Sequence, residues 1–365
     1  MISAMAWTSA RRTAGLMVVV GSVLAAVVAP VPRAGAASSS EVRSVVIRGD
    51  SVAAGEGTLD GFRYQDRALL PAWSATQRSR AYDGARPSCH RSPRAYGQIV
   101  AGALGATATN LACSGATYGR GIVLDDAYDR AAPDLVLVTA GANSVDFERA
   151  FAYCVLASRG LADAEAAQIA TAPTISDALS SAMGTAVGRL GDTSTRVTPG
   201  CTTTNPGAYL QRTVLDRMDD VTSDAAALAR QIRARGREAR RTPQVVFTTY
   251  FDPLPDRAAS FARCPDGAGL GAAQLAFMHQ VVRDLNGALT DALAGVPGTR
   301  VADPGPAYAG HRWCDADPWV YGTSILVSNA SSTAPFHPTP AGQRAIADAV
   351  LDAVRRGERD VSGPV

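Results

Sequence analysis

The chain has 365 residues, of which 47% are hydrophobic and 19% are charged, and its formal charge is +2. This composition is typical of a globular protein with a sizeable core, and a charge so close to zero gives no electrostatic reason to bind nucleic acid. We therefore expect no nucleic-acid partner.

The N-terminal segment has the pattern of a secretory signal peptide. Arg11 and Arg12 precede an apolar run from Leu16 to Val31, and Ala34-Gly35-Ala36 provides the small residues of a cleavage site. A single-pass anchor is less favoured, because the run falls short of the ~20 residues that such an anchor needs. We predict a signal peptide at 1–36 and a secreted protein with no stable membrane span after cleavage. Both the Sec and the twin-arginine routes stay open.

Apolar, β-rich stretches alternate with Ala-rich helical stretches along the rest of the chain. The strand-like stretches are VRSVVI (42–47), ATATNLAC (106–113), PDLVLVTAG (133–141), PQVVFTTY (243–250) and TRVADP (299–304). Their apolar residues are continuous rather than alternating, which indicates strands buried on both faces. We predict a three-layer α/β sandwich around a mostly parallel five-stranded sheet. A final helix is predicted to begin at Pro340, with Thr339 as its cap.

The pattern changes to Ala-rich helical segments between the third and fourth predicted strands. We interpret residues 151–242 as a helical insertion beside the sheet, within a single domain at 37–365. The Arg-rich run 229–241 is interpreted as a solvated helix face rather than an anion site.

Cysteine usage predicts three disulfide bonds, because an exported chain meets an oxidising environment. Fifteen pairings are possible for six cysteines, and we favour the sequential one because each bond then joins nearby segments. The predicted pairs are Cys89–Cys113, Cys154–Cys201 and Cys264–Cys314. A zinc site is not favoured, since no two cysteines have C-x-x-C spacing and only His311 and Cys314 lie at ligand spacing.

The stretch VIRGDSVAAGEG (46–57) places an acidic residue and a hydroxyl where the first predicted strand ends. Ligands bind at the carboxyl ends of parallel strands. Ser51 would stand there at a helix N-terminus, where backbone N–H groups stabilise developing negative charge. The alternative is that Ser51 only caps the helix. Asp50 is interpreted as a support for the turn.

Three further polar or glycine positions follow other predicted strands or precede the final helix. Gly115 lies in ACSGAT after the second strand, Asn143 lies in TAGANSVDF after the third, and His337 lies in FHPTPAGQ before the last helix. Together with Ser51 they provide a nucleophile, two oxyanion donors and a base. Taken singly, they are a turn glycine, a loop asparagine and a loop histidine.

These four blocks resemble the SGNH, or GDSL, hydrolase family over about Val42 to Val354. The resemblance implies a flavodoxin-like fold, with Ser51 as the nucleophile and His337 as the general base. It also implies an oxyanion hole formed by the Ser51 N–H, Gly115 and Asn143. CHRSPRAY (89–96) and AGHRWCDADPW (309–319) are similar to the secreted, three-disulfide bacterial lipases and esterases of that family. The disulfide order in that branch is similar to the sequential pairing.

The chain departs from the family pattern at two positions. Ser144 follows Asn143 where an aspartate is common, so only the asparagine role transfers. Ala334 stands three residues before His337, where the family usually has an acid. Some esterases of the branch that this chain resembles lack the acid and use a main-chain carbonyl there, and from that resemblance we expect the carbonyl of Ala334 to orient His337. Less favoured substitutes are Asp146, Asp252 and Asp303.

We therefore predict a secreted serine esterase or lipase that hydrolyses lipid or acyl esters through an acyl-enzyme. One alternative is an acetyl esterase that acts on acetylated polysaccharide. Another is a secreted binding protein that keeps the fold without turnover, and reaction with a fluorophosphonate would separate it from an enzyme. Neither a metal nor an organic cofactor is implied, and we expect a monomer whose partner is its ester substrate.

Overall fold

The computed structural model describes most of the chain after the predicted signal peptide. The described residues are 42–58, 82, 86–122, 124, 133–172, 177, 178, 181, 182, 185, 200–263, 270–323 and 335–361. They belong to one unit, Ser39–Val365. The predicted signal peptide, Cys264 and Ala334 lie outside the described residues.

A five-stranded parallel sheet forms the centre of the fold. Its strands are β1 (Ser44–Gly49), β2 (Thr107–Asn110), β3 (Leu135–Thr139), β4 (Gln244–Thr248) and β5 (Thr299–Ala302). Their order is β2-β1-β3-β4-β5, and every neighbouring pair is parallel. The predicted α/β sandwich is confirmed. Because the chain crosses from β2 over β1 to β3, the strand order reverses at β1, where such sheets bind ligands.

Helices cover both faces of this sheet. They are α1 (Ser51–Ala54), α2 (Tyr96–Ala103), α3 (Phe147–Ala157), α4 (Asp163–Ala170), α5 (Ala208–Thr213), α6 (Met218–Glu238), α7 (Ala272–Ala294) and α8 (Pro340–Val361). Among these described helices, none is long and apolar enough to cross a membrane.

Alternate residues of β1, β3 and β4 enter two separate hydrophobic layers, as the pleat requires. Ile47 and Leu137 join the larger core, which includes residues of α2 and α8. Val46 and Val136 join a second core with residues of α6. The continuous apolar runs of these three strands are therefore explained by burial on both faces, whereas the edge strands β2 and β5 are largely only partly buried.

Helix α8 begins as the sequence predicts. Pro340 is its first residue, and the Thr339 hydroxyl accepts a hydrogen bond from the Gly342 N–H at 3.3 Å. Its apolar face, with Ile346 and Val350 as members, is fully buried in the core.

The segment between β3 and β4 contains α3, α4, α5 and α6. Helix α6 packs through its alanine and aliphatic face, while much of its Arg-rich C-terminal half is exposed. Two arginines of this run contact other parts of the chain: Arg233 donates to the Gly298 carbonyl, and Arg241 pairs with Asp134 at 3.0 Å. These contacts agree with a structural role for the run.

Two of the predicted disulfide bonds are confirmed, Cys89–Cys113 and Cys154–Cys201. Cys314 is also disulfide-bonded. Its predicted partner Cys264 lies outside the described residues, so the third pair stays a prediction.

Candidate active site

The loop after β1 begins with a close approach of two backbones. Gly49 has φ +133°, and a Cβ at this position would lie 1.9 Å from the Thr139 carbonyl oxygen of β3. The Asp50 N–H then donates to that same oxygen at 2.9 Å. Only glycine fits between these strands, and the contact fixes the direction in which the chain enters α1.

Asp50 supports the turn that presents Ser51. Its Oδ1 accepts the Val52 N–H at 3.0 Å, and its Oδ2 accepts the Tyr250 hydroxyl at 2.5 Å. Burial raises the pKa of Asp50 to about 6, although these hydrogen bonds act in the opposite direction. The Tyr250 oxygen also accepts the Ala142 N–H at 3.1 Å. Tyr250 therefore connects the loop after β1 with the loop after β3.

Ser51 and His337 lie in direct contact, although 286 positions separate them in the sequence. The Ser51 Oγ is 2.6 Å from the His337 Nε2, and the His337 Nδ1 is 2.9 Å from the Pro335 carbonyl oxygen. A carbonyl can only accept, so Nδ1 carries the proton and Nε2 is free to accept the Ser51 hydroxyl. This is the tautomer that a general base requires.

The carbonyl on Nδ1 belongs to Pro335, not to Ala334 as the sequence suggested. The physical reason is the backbone of Phe336, whose φ of 64° lies in the left-handed region. That turn folds the carbonyl two residues before His337 onto the imidazole. The Phe336 N–H donates to the Tyr321 carbonyl at 2.8 Å, and the Tyr321 N–H donates to the His337 carbonyl at 3.0 Å. These bonds hold the unusual turn in place.

The three aspartates considered as substitutes have other partners. The Asp252 Oδ2 lies 2.5 Å from the His279 Nδ1, and the Asp303 Oδ1 accepts the Thr249 hydroxyl at 2.8 Å. Asp146 precedes α3 and lies 3.7 Å from Arg149. Within the described residues, none of them contacts His337.

The three N–H groups that the sequence assigns to an oxyanion hole each have a hydrogen that no described group uses. The backbone N–H groups of Ser51 and Gly115 donate to no other group in the described part of the chain. The Asn143 Nδ2 donates one hydrogen to the Ala116 carbonyl at 3.1 Å and has a second hydrogen. That bond joins Asn143 to the loop that contains Gly115. Asn143 lines the same pocket as Ser51 and His337.

The pocket beside Ser51 is mainly apolar. Its larger apolar side chains are Val52, Phe147, Phe251, Val282, Leu285 and Phe336. Glu148 also lines it, and burial together with nearby carboxylates raises the pKa of Glu148 to about 8. Near neutral pH this side chain is therefore mostly uncharged, and the pocket can receive an apolar group without burying a full negative charge.

The sequence did not reveal a polar cluster that lies near the His337 Nε2. The Glu56 carboxylate lies 2.9 Å from the His90 Nδ1, accepts the Ser114 hydroxyl and is 3.9 Å from the His337 Nε2. Tyr82 stacks on His90 with ring centroids 4.9 Å apart. The sequence contained one signal. Glu56, five positions after Ser51, is a charged residue among the small residues of AAGEG. No group of three or more His, Cys, Asp or Glu in the described ranges could hold a metal ion.

Comparisons with known proteins found a matching family model and similar solved structures. The model of the GDSL-like Lipase/Acylhydrolase family matches residues 48–345. An extracellular lipase from Streptomyces rimosus is 21% identical, with 85% of this chain and 99% of that chain covered and a TM-score of 0.51. Phospholipase A1 from Streptomyces albidoflavus NA297 is 20% identical, with 86% and 99% covered and a TM-score of 0.50. At these identities the two structures show a common fold. No curated protein sequence matches the chain.

Proposed function

The chain belongs to the GDSL-like lipase/acylhydrolase family, and from this premise we propose that it is a secreted serine esterase or lipase that hydrolyses acyl esters through an acyl-enzyme. The observation that carries the proposal is the contact of 2.6 Å between the Ser51 Oγ and the His337 Nε2 at an apolar pocket. A carboxylic ester hydrolase of this kind needs a nucleophile, a base and an oxyanion site close together.

In the first step, the Ser51 Oγ attacks the ester carbonyl carbon while the His337 Nε2 takes the hydroxyl proton. The Pro335 carbonyl accepts from Nδ1 and keeps the imidazole in the required tautomer and orientation. The imidazolium then gives its proton to the departing alkoxide, which leaves as an alcohol, and Ser51 remains acylated.

Negative charge develops on the carbonyl oxygen during this attack. The Ser51 N–H, the Gly115 N–H and the free hydrogen of the Asn143 amide are the proposed donors. Their support is that none of the three is used by another described group. Donors held in place before the reaction need no reorganisation when the charge appears.

In the second step, water replaces the alcohol. His337 removes a proton from the water, whose oxygen attacks the acyl carbon, and the proton then returns to the Ser51 Oγ as the carboxylic acid leaves. The products are one carboxylic acid and one alcohol for each water consumed.

The lining of the pocket favours an acyl group with apolar carbon atoms over a simple acetyl group. Phe147, Phe251 and Leu285 offer apolar surface that an acetyl methyl would leave largely uncovered. We therefore rank lipid or acyl esters before acetylated polysaccharide. Secretion is supported by the signal-peptide pattern and by the disulfide bonds, which persist in oxidising compartments.

The test is labelling with a fluorophosphonate, followed by a series of p-nitrophenyl esters from acetyl to long acyl chains and an acetylxylan assay. We expect one label on Ser51, none on Ser51→Ala, and kcat/KM that rises beyond the acetyl ester. His337→Ala should lose hydrolysis while remaining folded. Labelling that persists in Ser51→Ala would contradict the mechanism, a preference for acetylxylan would contradict the substrate ranking, and an unlabelled wild type would indicate a binding protein.

A further inference from the structure

We propose that Glu56 is a positioning residue whose carboxylate supplies, from the Nε2 side of His337, the negative charge that a triad acid would supply from the Nδ1 side. This inference rests on the proposed function, because it concerns the base of that reaction. It explains how a histidine whose Nδ1 contacts only a neutral carbonyl can still be stabilised when it becomes charged.

The geometry places the charge close to His337 without displacing Ser51. The Glu56 Oε2 lies 3.9 Å from the His337 Nε2, while the Ser51 Oγ holds that nitrogen at 2.6 Å. A distance of 3.9 Å is too long for a hydrogen bond, so Glu56 acts through its field. The backbone next to Glu56 also packs against His337, because a Cβ added at Gly57 would lie 3.0 Å from the His337 Cβ.

Burial makes this field effective. The Glu56 and His337 side chains are 2% and 7% exposed. Water therefore screens the pair weakly, and the interaction exceeds that of a surface pair.

Glu56 is held in its ionised form by the groups around it. Burial acts to raise its pKa, but the attraction of a protonated His337, the hydrogen bond and charge of His90 and the Ser114 hydroxyl together hold it below the ordinary value. The pKa of His90 is raised in return: burial acts against its charge, and Glu56 more than compensates. Burying an ionised carboxylate costs free energy unless the charge is paired and hydrogen-bonded, and the groups around Glu56 provide both.

The disulfide Cys89–Cys113 holds together the groups that contact Glu56. His90 and Ser114 each directly follow one of its cysteines, and the Ser114 N–H also donates to the Cys89 carbonyl at 3.2 Å. The bond therefore brings together two donors to Glu56 from separate loops.

Other titratable groups act on the same cluster. Tyr82 stacks on His90, and the charge of Glu56 contributes to the raised pKa of Tyr82 and of Glu148. His90 is the group that opposes Glu56, because a protonated His90 partly cancels its charge. Variants of these two residues should therefore shift the pH profile in opposite directions.

The experiment compares Glu56→Gln with wild type in kcat, KM and the rate of fluorophosphonate labelling as functions of pH. Gln keeps the shape but removes the charge, so we expect kcat to fall about 10- to 100-fold with little change in KM. The acidic limb of the profile should move to lower pH, because an uncharged neighbour stabilises the imidazolium less. Glu56→Asp keeps the charge and should keep the limb near its wild-type position.

His90→Gln provides a second variant that decides the question if Glu56→Gln does not fold. It removes the opposing cation, so its acidic limb should move to higher pH, a direction that a merely structural role does not produce. The matched control is Asp252→Asn, which removes the carboxylate of another described carboxylate–histidine pair, Asp252–His279. It should leave kcat and the limb unchanged.

Two results would overturn the proposal. One is a Glu56→Gln enzyme whose kcat and acidic limb of the pH profile match those of the wild type. The other is a His90→Gln enzyme whose acidic limb stays in place or moves to lower pH. A wild type that neither hydrolyses esters nor reacts with the fluorophosphonate would instead refute the proposed function. The two failures are thus distinguishable.

Discussion

At the scale of single residues, Asp50 shows burial and hydrogen bonding acting on one carboxylate in opposite directions. The pKa is raised from 3.8 to about 6, so the folded protein binds this proton more tightly than the unfolded chain does. Stability from this group is therefore fully present below the unfolded pKa and is lost as the pH rises through the folded pKa. The loss is about 3 kcal/mol, since each unit corresponds to about 1.4 kcal/mol.

Asp50→Asn should remove this pH dependence. Asn is uncharged and has a donor where protonated Asp50 has one, so it should resemble the protonated wild type at every pH. We expect the variant to be more stable than wild type by up to about 3 kcal/mol at pH 8, with the difference vanishing near pH 4. Urea unfolding between pH 4 and 8 measures both curves. Parallel curves would show that Asp50 is not buried as a charge.

Asn143→Ala tests the proposed oxyanion donor. The substitution removes an amide hydrogen that no other described group uses, so kcat should fall by about 10²–10³ while KM changes little. Asn205→Ala, at an exposed loop position, is the control and should behave as wild type. An effect confined to KM would mean that Asn143 binds substrate without stabilising the transition state.

At the scale of elements, the two described disulfide bonds have different surroundings. Cys89–Cys113 joins the loops that contain His90 and Ser114, beside Glu56. Cys154–Cys201 joins α3 to the segment before α5, and both sulfurs lie in the core. One bond thus borders the candidate site, and the other joins a helix to a loop.

Replacing each pair of cysteines by alanine should separate stability from activity. Either loss should cost about 3–4 kcal/mol, because loops spanning 24 and 47 positions regain freedom in the unfolded state. Only Cys89→Ala with Cys113→Ala should lower the kcat of the folded enzyme, since His90 and Ser114 lose their fixed positions. Unfolding curves and kinetics well below the unfolding midpoint check this. Equal kcat in both double variants would contradict it.

At the scale of the whole molecule, the predicted export of the chain is consistent with its disulfide-bonded cysteines. The chain combines a signal-peptide pattern with cysteines that are bonded wherever the structure describes them. A compartment outside the membrane permits such bonds, whereas the cytosol keeps thiols reduced.

The exported protein should therefore begin at Ala37 and contain no free thiol. N-terminal sequencing and intact mass after alkylation without reduction measure both, and peptide mapping should find Cys264 linked to Cys314. The same chain made without residues 1–36 in a reducing cytosol is the control and should contain alkylated cysteines. A mature protein that keeps the apolar run, or Cys264 linked elsewhere, would contradict the prediction.

Sequence alone determined the features that depend on local pattern. The five strands lie in the predicted stretches, and the continuous apolar runs of β1, β3 and β4 reflect burial on both faces. Thr339 and Pro340 fixed the start of α8 through capping and a preset φ. Ser51, Asn143 and His337 were found together because strand ends and the final helix converge at one edge of a parallel sheet.

Only the tertiary structure decided which groups touch these residues. The Pro335 carbonyl contacts the His337 Nδ1, because Phe336 adopts a left-handed turn that propensity does not predict for a bulky side chain. Glu56 meets Ser114 and Asp50 meets Tyr250 across 58 and 200 positions. Periodicity carries no information about such contacts, since they depend on how side chains from distant segments pack around a common centre.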